Sequence, residues 1–210
     1  MGKTFLNAIL SGIAIGLAAT VYIAVPDPLA GATLFAFGLT AILCYGFKLY
    51  TGAVGYLMNQ GRNTPVYLLT LLVIWVGNLA GTFLVGTMIR ASRTYSDTFA
   101  KRVAGMCEAK LNDSWSSILI LAFFCGVLMY LAVETYRRKE ELAPIFRFAM
   151  VVFCVVVFIL SGFEHCIANM YYFSVADVWS AHTVHWLLIM TLGNSLGGFL
   201  IPVADKFRLE

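Results

Sequence analysis

The sequence predicts an all-α membrane protein with six transmembrane helices in two inverted three-helix repeats, the second and fifth helices being broken. Three observations carry that expectation. Of 210 residues, 60% are hydrophobic and 12% charged, with a mean hydropathy of +0.85. Soluble domains carry roughly 25% charged residues, so this is the composition of a chain solvated by lipid. At about 20 residues per crossing the length holds six helices and short loops, with no soluble domain expected. Lastly, two motifs recur at one offset of 116 residues. Gly46-Phe47 matches Gly162-Phe163, and Gly77-Asn78-x-x-Gly81-x-Phe83-Leu84 matches Gly193-Asn194-x-x-Gly197-x-Phe199-Leu200.

The first helix is expected over Thr4 to Val25, a run too long for a signal-peptide core and with no small-residue cleavage site, so it is read as retained. Gly12 and Gly16 give it a G-x-x-x-G face for close packing. Pro26-Asp27-Pro28 turns the chain. The second helix runs from near Leu29 to Gly46, is interrupted at Lys48 and Thr51-Gly52, and continues to about Asn59. The third covers Val66 to Ile89, and a polar connection follows from Arg90 to Asp113. The fourth covers Trp115 to Tyr136 and ends at Arg137-Arg138-Lys139. The fifth opens at Pro144, runs to Gly162, breaks at Glu164-His165 and resumes over about Ile167 to Phe173. The sixth covers His182 to Val203, before a short charged tail. Residues 1–210 thus read as one membrane domain, with repeats over about 4–89 and 115–203 and Gly16 opposite Gly126. An odd number of crossings per half places the halves in opposite orientations. Eight basic residues fall on the side of the termini and five on the other, which favours cytoplasmic termini.

Glu164-His165 is the leading site candidate. An acid and an imidazole at membrane depth are costly, and irregular backbone survives there only when buried in protein or lining a cavity. The second break mirrors it with Lys48 and Thr51. Asn78 and Asn194, at equivalent places in apolar helices, read as structural polar residues joining helices. Lys110 reads either as an interfacial lysine with its head in the headgroups or as an anion attractor at a vestibule mouth. His182 and His185, three apart, are a weak metal signal. The five cysteines form no C-x-x-C pair, so neither a zinc site nor a disulfide framework is expected. Cys166 is the one local nucleophile that a membrane-embedded acid/base enzyme could use beside Glu164-His165, and nothing nearby in sequence activates it. No cofactor, metal or nucleic-acid partner is expected.

The run Gly162-Phe163-Glu164-His165-x-Ile167-Ala168-Asn169-Met170 resembles the signature of the formate–nitrite transporter family. Leu49-Tyr50-Thr51-Gly52 resembles that family's Leu-Phe-Thr-Gly/Ser loop, and Gly77-Asn78-Leu79-x-Gly81 its Gly-Asn-x-x-Gly helix. Glu108-Ala109-Lys110, Leu131-Ala132-Val133 and Thr191-Leu192-Gly193-Asn194 also match. The resemblance implies an aquaporin-like protomer, a homopentamer in the bacterial inner membrane with one pore per subunit, and passage of small monovalent anions or their acids. By motif, His165 would be the central pore histidine, Thr51 its partner, and Lys110 the vestibule lysine. Glu164 and Asn169 would support the break. Phe35, Leu39, Leu49, Tyr50 and Phe158 would form the constrictions. Three departures stand out: Cys125-Gly126-Val127 where members often have Cys-Asn-Trp, so that a pore-facing amide is missing; Lys48 where Asp is common; and Tyr50 in place of Phe.

Desolvation makes a proton-linked route the expected one. Burying a bare anion among Phe and Leu costs many kcal/mol. Protonating a carboxylate of pKa ~4 at pH 7 costs about 4 kcal/mol, at roughly 1.4 per unit. Attraction by Lys110 followed by passage of the neutral acid is therefore the cheaper path. His165 is the one side chain at the break whose unperturbed pKa lies near neutrality.

Overall fold

The computed structural model describes residues 1–138 and 141–208. Lys139, counted above among the basic residues, and the last two residues of the tail lie outside them. Among the described residues every regular element is helical: α1 (Gly2–Ala24), α2 (Pro28–Tyr45), α3 (Tyr50–Ala53), two 3₁₀ turns, α4 (Thr64–Arg90), α5 (Asp97–Leu111), α6 (Trp115–Arg137), α7 (Pro144–Leu160), α8 (Cys166–Ala176) and α9 (Ala181–Arg208). The spans Gly2–Ala24, Pro28–Tyr45, Gly61–Arg90, Trp115–Arg137 and Ala181–Arg208 are long and apolar enough to cross a membrane, and α7 is a shorter apolar helix.

Local chemistry sets the boundaries. Asp27 Oδ1 accepts the Ala30 N–H at 2.7 Å and Pro28 opens α2, a capped start with φ preset. Ser114 Oγ accepts the Ser117 N–H to start α6. The two breaks end their helices alike. Gly46 and Gly162 sit at φ +70° and +68°, and the next N–H reaches back five residues, Phe47 to Ile42 O at 3.0 Å and Phe163 to Phe158 O at 2.9 Å. A side chain at either glycine would meet nothing within 4 Å. The left-handed backbone is what calls for glycine there.

One element departs from the expected outline. The stretch read as a polar connection contains α5, capped by Ser96 Oγ on the Phe99 N–H. Its apolar residues Phe99, Val103 and Cys107 are buried at four-residue spacing, one face laid inward chiefly against α8. A span-length hydropathy reading passes over such a helix because its other face is charged. Arg102 holds it to the end of α1, donating to Ile23 O at 2.9 Å and to Val25 O. Lys110 lies in the last turn of α5.

The long helices pack in two close pairs, α1 on α4 and α6 on α9. A Cβ on Gly12 would collide with the carbonyl oxygen of Asn78, and one on Gly126 with that of Asn194. Gly12 thus makes on α4 the kind of contact that Gly126 makes on α9, whereas Gly16 meets the Val85 side chain. This also corrects the reading of Cys125-Gly126-Val127 as a lost pore amide. Position 126 faces the α9 backbone and has room for no side chain. Gly126→Ala should push α6 off α9 at a cost of about 1–3 kcal/mol. Gly105→Ala on α5, where a Cβ meets nothing within 4 Å, should be neutral or stabilising. Thermal midpoints in detergent check this, and equal midpoints for the two variants would remove the close-contact argument.

Candidate functional site: two vestibules around the paired helix breaks

Asn78 and Asn194 fasten the breaks. Asn78 Nδ2 donates to Ala8 O and Lys48 O, each at 2.8 Å, while its Oδ1 accepts the Tyr50 N–H at 2.9 Å. Asn194 repeats the pattern, Nδ2 donating to Ala122 O at 2.7 Å and Glu164 O at 2.8 Å, with Oδ1 accepting the Cys166 N–H at 2.8 Å. Both are fully buried. Each amide satisfies backbone groups that the interrupted helix leaves over, which is why a polar side chain is tolerated among apolar helices. The sequence placed these residues between helices; the geometry adds that each ties its helix pair to a break.

His165 stands at the start of α8 and 2% of it is exposed. Its Nδ1 accepts the Ala168 N–H at 3.1 Å, making it the N-cap of α8. Its Nε2 lies 2.9 Å from Thr51 Oγ1, a bond between the two breaks. A nitrogen that accepts an N–H carries no proton, so the neutral ring holds its hydrogen on Nε2 and donates it to Thr51. The ring stacks on Phe158, centroids 5.6 Å apart and 25° between planes. Phe158 in turn meets Phe35 edge-on at 5.8 Å.

Lys110 comes from the end of α5 and is not a free charge. Its Nζ donates to both Glu164 oxygens at 2.8 Å, with 16% of its side chain and 5% of that of Glu164 exposed. Asn169 Nδ2 donates to Glu164 Oε2 at 2.8 Å and to His165 O at 3.1 Å. The carboxylate thus sits where an incoming anion would sit on the lysine.

Two cavities flank this centre. One, of about 350 Å³, is lined by Lys110, Asp113, Phe158, Glu164, His165 and Asn169 among others. The other, of about 430 Å³, is lined by Leu39, Lys48, Leu49, Val133, Tyr136 and Arg137 among others. Among the described residues none lines both. Gly162-Phe163 borders the first and Gly46-Phe47 the second.

Of the expected constriction residues, Phe158 lines the first cavity, Leu39 and Leu49 line the second, and Phe35 is buried against Phe158. Tyr50 lies apart from these four. Its hydroxyl bonds Ser195 Oγ on α9 at 2.9 Å, and its ring lines the α4–α9 crevice rather than either vestibule. A largely enclosed phenol needs a hydrogen-bond partner, and Ser195 draws it aside. His182 bonds Leu111 O at 2.9 Å and packs on Trp186. Among the described residues no three His, Cys, Asp or Glu side chains form a metal group. Cys166 is buried, its N–H given to Asn194. Sequence reasoning missed Arg137 as a vestibule residue, having read it only as an orientation charge. It also missed the Glu164 partner of Lys110, since 54 residues separate the two.

A helical membrane chain with a buried polar centre and a cavity beside each of its two helix breaks has the plan of a membrane transport protein. The family model described as "Formate/nitrite transporter" matches residues 1–204. The nitrite transporter NirC of Escherichia coli is 29% identical over 86% of this chain and 76% of its own length. The formate channel FocA of Haemophilus influenzae is 24% identical over 93% of this chain and 82% of its own. A solved structure described as "FNT family ion channel" superposes with TM-score 0.88 at 24% identity, covering 99% of this chain and 90% of that one. One described as "Pentameric formate channel with formate bound" superposes with TM-score 0.82 at 23% identity, covering 99% and 96%. The chain belongs to the formate/nitrite transporter family.

Proposed function

We propose that the chain passes small monovalent anions such as formate or nitrite as their conjugate acids, through a proton-linked pore centred on His165 and Thr51. The observation that carries this reading is the buried Thr51–His165 bond, with Phe158 stacked on the imidazole, Phe35 against Phe158, and Leu39 and Leu49 lining the cavity on the Lys48 side. Such an apolar lining excludes a bare anion by many kcal/mol. A neutral acid crosses it at the cost of its protonation, about 4 kcal/mol at pH 7 for a carboxylic acid of pKa ~4. At the narrowest point the passing acid exchanges hydrogen bonds with the Thr51 hydroxyl and the imidazole, so its polar atoms stay partnered.

The matched Asn78 and Asn194 networks support two inverted repeats of three crossings, with α7 and α8 together forming the fifth. In that arrangement the vestibules open to opposite faces of one membrane domain, in the bacterial inner membrane with both termini cytoplasmic. The likeness to a solved pentameric formate channel supports a homopentamer with a pore in each subunit.

Purified protein in liposomes tests the reading. Formate and nitrite uptake should rise toward acid pH, the anion should emerge unchanged, and native mass spectrometry in mild detergent should give five copies. Uptake no faster than in empty liposomes would sink the transport assignment. An active monomer or tetramer would sink the pentamer alone.

A further inference from the structure

The two vestibules are unlike in charge, and the difference lies on the side opposite Lys110. Among its lining residues the Lys110 vestibule has one cation and two carboxylates, Asp113 and Glu164, and the lysine is already bound by Glu164 at both oxygens. The Lys48 vestibule has two cations, Lys48 and Arg137, and no carboxylate. Lys48 is exposed and uses only its backbone to hold the break. The Arg137 guanidinium lies 4.2 Å above the Tyr56 ring. The nearest carboxylate along α6, Glu134, accepts the Tyr56 hydroxyl at 2.7 Å and faces Arg138 at 3.8 Å. Neither Lys48 nor Arg137 forms a salt bridge among the described residues.

Beyond this vestibule lies a wider basin of about 980 Å³ that shares Tyr56, Tyr67 and Arg137 with it. The basin's own charges balance, with Arg137, Arg138 and Lys206 against Glu134, Glu141 and Asp205. Arg137 lines both spaces, so basin and vestibule together carry one cation more than carboxylates, and that excess sits at Lys48. A cleft with low-dielectric walls focuses such a field and raises the local anion concentration. Arg137, parked on an aromatic face, is held ready to present its N–H fork to a carboxylate or nitrite.

Resting on the transport reading above, we infer that Lys48 and Arg137 form the anion-receiving site of this pore. It takes a planar monovalent oxyanion, and anions load more readily from this face than from the Lys110 face. Lys48 thus becomes a device that sets which side of the pore collects anions.

Formate is the probe, with the protein in liposomes and a cleavable tag after Glu210. Asp205 and Lys206 line the basin, so protease access to the tag marks the vesicles whose Lys48 face is outward. At about 10 mM ionic strength the Debye length is ~30 Å. There, Lys48→Gln/Arg137→Gln should raise the apparent KM for formate about three- to tenfold from the Lys48 face and less than about twofold from the other. At about 1 M salt, where the Debye length is ~3 Å, the difference should vanish. Lys48→Arg/Arg137→Lys should restore the parent KM, which a merely structural role would not do. A shift equal on both faces, or none on the Lys48 face while formate still passes, overturns the inference and leaves the transport reading standing. Parent protein that passes no formate overturns both.

Discussion

His165→Asn should fold and assemble like the parent, yet pass formate roughly tenfold more slowly and with a flatter rise toward acid pH. The imidazole does two jobs with two nitrogens: Nδ1 caps α8 through the Ala168 N–H, and Nε2 reaches Thr51. Asn is a strong N-cap residue and can take over the first. Its shorter side chain does not span the distance to Thr51, so the second is lost. One hydrogen bond is worth about 1 kcal/mol net, more in a dry site, which corresponds to about tenfold in rate. Asn also has no nitrogen that can take up a proton, whereas an imidazole has one. His165→Phe loses both jobs, so it should show the same fall in flux together with about 1 kcal/mol lower stability from the missing cap. The measurement is formate flux into liposomes from pH 5 to 8, beside thermal midpoints. A Phe variant with the parent's rate and pH profile would free His165 of any part in the proton step.

The outline of the helices was readable because lipid imposes a blunt rule: crossing segments must be long, apolar and internally hydrogen-bonded. The breaks were readable for the same reason, since Glu164, His165 and Lys48 violate that rule where Gly46 and Gly162 permit the chain to turn. Two motifs at one offset pointed to matched halves, and the Asn78 and Asn194 networks are built alike down to each donor and acceptor. What stayed hidden depends on contacts between distant segments. Helix α5 is short and half polar, so it reads as loop until something is known to cover Phe99 and Val103. Gly126 looked like a pore position missing its amide, and only the approach of the α9 backbone shows that no side chain fits. Tyr50 sits beside Thr51 in sequence, yet neighbouring helical residues point about 100° apart, and Ser195 decides where the ring goes. Lys110 was legible as a charge at either a headgroup boundary or a vestibule mouth; its partner in Glu164 was not.

That partnership governs the largest stability effect. Lys110→Met should cost about 3–5 kcal/mol, because it leaves the Glu164 carboxylate buried with Asn169 as its one remaining side-chain donor. Against a total stability of about 5–15 kcal/mol, that loss should lower the thermal midpoint by roughly 10 °C and cut the yield of assembled protein. Attraction of anions at low salt, the role the sequence suggests for Lys110, is the smaller effect, since Glu164 already cancels most of its field. Glu164→Gln alone has the opposite electrostatic sign. It keeps a side chain of the same shape on Asn169 and releases the lysine charge into the vestibule, so the apparent KM for formate from that face should fall at low ionic strength. The double variant Lys110→Met/Glu164→Gln removes both charges, and most of the stability lost in Lys110→Met should return, because a neutral amide is far cheaper to bury than an unpaired carboxylate. Thermal midpoints for the parent, both single variants and the double variant complete the cycle, with a coupling of about 2 kcal/mol or more expected for a buried contact pair. If the double variant is no more stable than Lys110→Met, the two charges are not coupled, and Lys110 returns to being a headgroup anchor.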